Sequence, residues 1–119
     1  MKLETRMDIE RKIVRKLVRV MKKHGWVVEY VNNGGEAEVC KTEKAVMNAV
    51  FAGDDARIYF KNAAGRRHWA FIVLGNDGYD CICDYSFCAD NGDDFDTIMQ
   101  AEIDPYCDSF LKFVDSYPN

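Results

Sequence analysis

Between residues 7 and 24 the apolar side chains of Ile9, Ile13, Leu17, Val20 and Met21 recur at steps of three and four. That repeat gathers them on one face of an α-helix. Gly25 ends the helix, and His24 just before it sits where a cation meets the negative end of the helix dipole. Residues 26–31 (Trp-Val-Val-Glu-Tyr-Val) are dense in β-branched and aromatic types and stop at Asn32-Asn33-Gly34-Gly35, which predicts a strand. A second helix is expected after it. Thr42 caps that helix, Ala45, Val46, Ala49 and Val50 form its apolar face, and Gly53 closes it.

Three further strands are predicted over residues 57–61, 67–74 and 79–85, separated by the turn sequences Asn-Ala-Ala-Gly and Gly-Asn-Asp-Gly. With four-residue loops, Ala70, Ile72 and Leu74 share a sheet face with Tyr79, Cys81 and Cys83. Ile58, Phe60, Trp69, Phe71, Val73 and Ile82 then share the other. Both faces of such a sheet are apolar, so both need a cover: helices on each side, or helices on one and another protein on the other. Monomer and homodimer both stay open, with Trp69 and Phe71 marking the face where a second copy would pack.

Towards the C-terminus, Asp93 or Asp94 can start a short helix carrying Ile98, Met99 and Ile103, and Asp104-Pro105 signals the start of another. Tyr106, Phe110, Phe113, Val114 and Tyr117 give that last helix one apolar stripe, with Asp108, Lys112 and Asp115 on its polar side. The fold expected is α+β: an antiparallel four-stranded sheet with N-terminal and C-terminal helices, in the order α-β-α-β-β-β-α-α. At 119 residues and 48% apolar content it forms one domain, residues 1–119.

Charge changes the picture more than composition does. Residues 1–24 carry nine Lys or Arg against three acids, a net of +6, whereas residues 77–119 carry eleven acids against Lys112 alone, a net of −10. On a helical wheel Arg11, Lys12, Arg15, Lys16, Arg19, Lys22 and Lys23 form one arc opposite the apolar arc. Such an arc is either a solvated helix face or a grip for phosphate. No aromatic residue interleaves the bases and the pI is near 5.1, which disfavours nucleic acid as the partner. The apolar arc lacks a bulky aromatic anchor for a membrane surface.

The acidic third either keeps the protein soluble or docks on a basic protein partner, since clustered carboxylates can mimic a phosphate backbone. The residues expected to bind such a partner are Asp84, Asp90, Asp93, Asp94 and Asp96, together with Trp69 and Phe71. Calcium does not fit residues 90–96, because Gly92 stands at the third position, where an EF-hand loop places a ligand.

Cys81, Cys83 and Cys88 with His68 are the set that could gather soft metal ligands or a thiol–imidazole pair. Their C-x-C-x4-C spacing on a strand differs from the paired turns of zinc sites. Core packing is the simpler expectation, with no cofactor and no catalytic residue assigned. Arg66-Arg67-His68, at a hairpin tip, could bind an anion, and a charged turn explains it as well. Five cysteines, an odd number, and no apolar run of signal or membrane length lead to the expectation of a cytoplasmic protein with reduced thiols.

The hairpin Val73-Leu74-Gly75-Asn76-Asp77-Gly78-Tyr79-Asp80-Cys81-Ile82-Cys83-Asp84-Tyr85, with the Asp-rich segment after it, resembles small uncharacterised proteins of bacteriophages and bacterial mobile elements. The resemblance covers the second half of the chain and implies a bacterial cytosol and a protein that acts on a host factor. The function expected is a non-enzymatic protein-binding module that engages or inhibits a host protein, such as a nucleic-acid-binding defence complex. The alternatives are an immunity protein or chaperone for a basic toxin or effector, nucleic-acid binding through the first helix, and a thiol enzyme.

Overall fold

The computed structural model describes residues 3–112. Helix α1 (Leu3–Lys23) buries the predicted stripe, together with Val14 and Val18. It ends as its sequence requires. Gly25 takes φ +89°, its N–H donates to the Lys22 carbonyl at 3.1 Å, and the Trp26 N–H donates to the Met21 carbonyl at 2.8 Å. This pair of bonds satisfies carbonyls that the last turn would otherwise leave open. One polar residue lies on the buried face: Glu10, only 2% exposed, accepts the Gly75 N–H at 2.8 Å and pairs with Arg6 at 3.5 Å. Nearby, Gly78 (φ +92°) passes so close to α1 that an added Cβ would stand 3.2 Å from Ile9 and 3.3 Å from the Arg6 carbonyl oxygen.

Strand β1 (Val27–Asn32) pairs with β2 (Ala37–Val39), and the chain then enters α2 (Glu43–Val50), whose Thr42 hydroxyl accepts the Ala45 N–H at 3.1 Å. Strands β3 (Asp55–Lys61), β4 (Arg67–Val73) and β5 (Ile82–Tyr85) complete an antiparallel sheet of order β2-β1-β3-β4-β5. The sheet therefore has five strands where four were expected. The extra one, β2, is three exposed residues long, too short to show a period of its own.

The expected face assignment is also corrected. The β3–β4 connection takes in Arg66, closing through the Asn62 N–H and the Arg66 carbonyl at 3.1 Å, so that Ile58 lies opposite Ala70 and Phe60 opposite His68. Ala56, Ile58, Phe60, His68, Ala70 and Ile72 thus form the buried face, and Trp69, Phe71 and Val73 the other. One residue of loop length exchanges the two faces of a strand pair. On β5 the pairs Phe71–Asp84 and Ile72–Ile82 leave Cys83 as the extra residue of a bulge, so Cys81 is buried while Cys83 is exposed.

The C-terminal elements form one continuous helical stretch rather than two helices: α3 (Phe95–Ile98), a π-helical turn (Met99–Ile103) and α4 (Asp104–Asp108). Pro105 inside a regular helix would clash with the carbonyl four residues back. The wider turn just before it, where the Asp104 N–H reaches the Met99 carbonyl, relieves that clash. Asp104 is therefore a helical residue and not the expected cap; its carboxylate accepts the Tyr85 hydroxyl at 3.2 Å. Tyr106 meets Phe110 edge-on at 5.3 Å as the apolar stripe predicts, while Phe113, Val114, Asp115 and Tyr117 lie outside the described residues. The helices pack on the buried face, where Phe95 of α3 meets Phe60 at 5.5 Å, and no described helix covers the other face.

Candidate functional site

The open face of the sheet is built by strand register. Val39, Tyr30, Tyr59 and Trp69 stand side by side across β2, β1, β3 and β4, and the next row is Ala37, Asn32, Arg57, Phe71 and Asp84. Tyr30 and Tyr59 stack with centroids 4.4 Å apart and planes at 18°. The Arg57 guanidinium lies 4.6 Å from the Trp69 ring and 5.2 Å from Phe71, held by the electron-rich ring faces. Val39 is 73% exposed, and the aromatic rings of the row are half-buried.

Charge on this face is polarised along the strands. At one end Glu29 takes two bonds from Arg67, at 3.1 and 3.3 Å, and pairs with Lys61 at 3.4 Å. The Arg67 guanidinium holds this carboxyl below its usual range. At the other end Asp55 lies opposite Val73 and Asp84 opposite Phe71, both acids exposed.

A second constellation sits at the start of β4. His68, 6% exposed, stacks on Phe95 at 4.6 Å and meets Trp26 edge-on at 5.3 Å. Its Nδ1 lies 2.7 Å from the Ser86 hydroxyl, and its Nε2 lies 2.9 and 3.0 Å from the two Asp93 carboxylate oxygens. Arg66 Nε donates to Asp93 at 2.6 Å, and Arg66 Nη2 donates to Asp90 at 2.8 Å and to Cys88 Sγ at 3.2 Å. The Gly92 N–H donates to Asp90 at 2.9 Å. Burial pushes the Asp93 carboxyl up, but hydrogen bonds from His68, Arg66 and the Phe95 N–H outweigh it and leave the group below its usual range. The Cys88 thiol, the Gly92 N–H and Arg66 hold Asp90 well below the usual carboxylate range.

A serine, a histidine and an aspartate in line invite a catalytic reading, but Ser86 is fixed into the sheet. Its hydroxyl accepts the Trp69 N–H at 2.9 Å and its own N–H donates to the Trp69 carbonyl at 3.0 Å. The constellation is a clamp that ties residues 86–95 to the start of β4. Two carboxylates of loop 90–96, Asp90 and Asp93, are bonded to a guanidinium of their own chain.

The residues expected to act together are therefore divided. Trp69, Phe71 and Asp84 share the open face. Asp90 and Asp93 belong to the clamp, Asp94 accepts the Trp26 indole N–H at 2.9 Å, and Asp96 lies in the first turn of α3. Tyr30, Arg57 and Tyr59 complete the open face and Arg66 and Ser86 the clamp, and none of these was assigned there from sequence. The period-two run Arg57-Tyr59-Lys61 carried the first signal; the second depends on a long-range contact that no spacing encodes.

No thiol bonds to His68, whose two nitrogens face Ser86 and Asp93; Cys88 stands in the clamp beside it, bonded to Arg66 and Asp90. Among the described residues no group of three or more His, Cys, Asp or Glu could hold a metal ion. Burial pushes the Cys107 thiol up to about 12 and the Cys81 thiol higher still, whereas Cys83 is exposed. A thiol reagent at mildly alkaline pH should therefore modify Cys83 in a fast phase that Cys83→Ser removes. Fast modification of Cys81 or Cys107 in the folded protein would contradict the burial described. Among the described residues no helix is long and apolar enough to cross a membrane.

Comparison with known proteins finds no matching family model, no matching curated protein and no matching solved structure.

Proposed function

We propose that this protein is a non-enzymatic binding module that docks another protein on the open face of its sheet. The observation that carries this reading is the row of Tyr30, Tyr59 and Trp69, with Arg57 stacked on Trp69 and Phe71, on the face that no described helix covers. Tyrosine, tryptophan and arginine dominate the binding energy of protein interfaces, because they bury large rigid surfaces while keeping a polar edge. Arg57 is already oriented by two rings, so little side-chain freedom is lost on docking.

Asp55 and Asp84 at one rim favour a partner whose matching rim is basic. The acidic contribution comes from these two residues rather than from Asp90, Asp93 and Asp94, whose carboxylates are engaged within the chain. A nucleic-acid-binding host defence complex, or a basic toxin or effector, is the class of partner that this rim and the resemblance to mobile-element proteins favour.

A photo-crosslinking amino acid placed at position 59 should form an adduct with one cellular protein, and the same group at Lys12, on the far side of the molecule, should not. Trp69→Ala should weaken that association by about 2 kcal/mol, a factor of about 30. The same adduct from both positions, or none from position 59, would sink the reading. An adduct of twice the chain's mass would replace the basic partner with a second copy.

A further inference from the structure

On the helical side of the molecule a groove of about 680 Å³ runs between α1 and α2. Arg11, Arg15 and Arg19 line one wall, each four residues from the next, so that they form a row with steps of about 6 Å along the helix. Lys44 of α2 lines the other wall, and Phe51 lies at one end, beneath the Arg11 guanidinium at 5.3 Å from the ring centroid. Four cations face one carboxylate, Glu43.

We infer that this groove binds the phosphate backbone of a single-stranded nucleic acid. The inference is independent of the open sheet face. Single-strand sites combine a positive groove that follows the backbone with an aromatic surface for a base. The sequence of α1 holds no aromatic among its bases; Phe51, the residue that follows α2, stands at the end of the groove, and a base reaches its ring by taking the place of the Arg11 guanidinium. Arginine, with its planar fork, is the side chain suited to phosphate oxygens, and three in a row match a ligand that carries a charge at every repeat better than they match a single anion.

Glu43 shows how such an anion would sit. Its carboxylate accepts a hydrogen bond from Arg19 Nη2 at 3.2 Å and forms ion pairs with Arg19 Nε at 2.7 Å and Arg15 Nε at 3.7 Å. Two guanidinium groups thus converge on an anion between the helices, and an incoming phosphate competes with Glu43 for them. The net charge of −4 opposes any polyanion at long range, so binding is expected to be weak and strongly salt-dependent.

The test is fluorescence polarisation of a labelled oligothymidylate with the full chain. Four phosphate contacts give a salt slope that weakens binding about 50-fold between about 50 and 200 mM salt. Arg11→Gln, Arg15→Gln and Arg19→Gln together should lower that slope by about 2. Glu43→Gln, which leaves the Thr42 cap in place, should tighten binding and steepen the slope. This gain separates a lost site from a lost fold. No complex at low salt, equal affinity for Glu43→Gln and the parent chain, or equal displacement by polyglutamate of matched charge would each overturn the inference.

Discussion

Asp93→Ala should lower the stability of the folded chain by about 3 kcal/mol, the scale set by removing one partner of a buried charge pair. The Asp93 side chain is 3% exposed and receives Arg66 Nε, His68 Nε2 and the Phe95 N–H. Without it His68, stacked between Phe95 and the edge of Trp26, loses the partner of one ring nitrogen. Arg66 is 39% exposed and recovers hydration, which places the loss at the lower end of the range for such pairs. Asp84→Asn, on the exposed β5 edge, should stay within about 0.5 kcal/mol of the parent. Urea denaturation distinguishes the two, and an Asp93→Ala midpoint equal to that of the parent chain would refute the clamp. The same carboxyl gives a pH dependence. Its folded pKa lies below the unfolded value of about 3.9, so its contribution is complete above that pH and disappears as the pH falls through the folded value. Asp93→Ala should therefore flatten the acid limb of the stability curve. Changing Asp90, Asp93, Asp94 and Asp96 together to Asn would report on folding before it reported on binding.

What could be read from the sequence was what depends on local period. The stripe of α1, the Thr42 cap, the Gly25 stop and the alternation within β3 and β4 are all set by neighbours within a few residues, and each stands in the structure. The faces of the β3–β4 pair were assigned wrongly because register depends on whether Arg66 belongs to the strand or to the loop. Its hydrogen bond to Asn62 decides that, and composition does not. The acidic segment shows the same limit for function. A run of aspartates reads as a surface, but three of its members face Arg66, His68 and Trp26, which lie 24 or more residues away in the chain. Trp69 and Phe71 were singled out for their type, and Tyr30, Tyr59 and Arg57 became part of the same face only once three strands were in register.

Trp26→Ala should cost about 4 kcal/mol, within the range for deleting a large aromatic from a packed core. Trp26 is 1% exposed and lies where three parts of the fold meet: the end of α1, the start of β1 and the segment leading into α3. Its ring stands edge-on to His68 at 5.3 Å and to Phe95 at 5.4 Å, and its indole N–H donates to Asp94 at 2.9 Å. Trp26→Phe retains most of the packing and removes the bond to a carboxylate, so it should cost about 2 kcal/mol. With Trp26 replaced, Trp69 is the only remaining tryptophan, and its fluorescence reports on the open face during the same urea titration. Equal losses for the alanine and phenylalanine variants would mean that the hydrogen bond, not the ring, holds this junction. Trp26 and Asp93 both act through His68, so the two alanine substitutions combined should destabilise by less than the sum of the single effects. Strict additivity in that cycle would show that the clamp and the aromatic core fold as separate units.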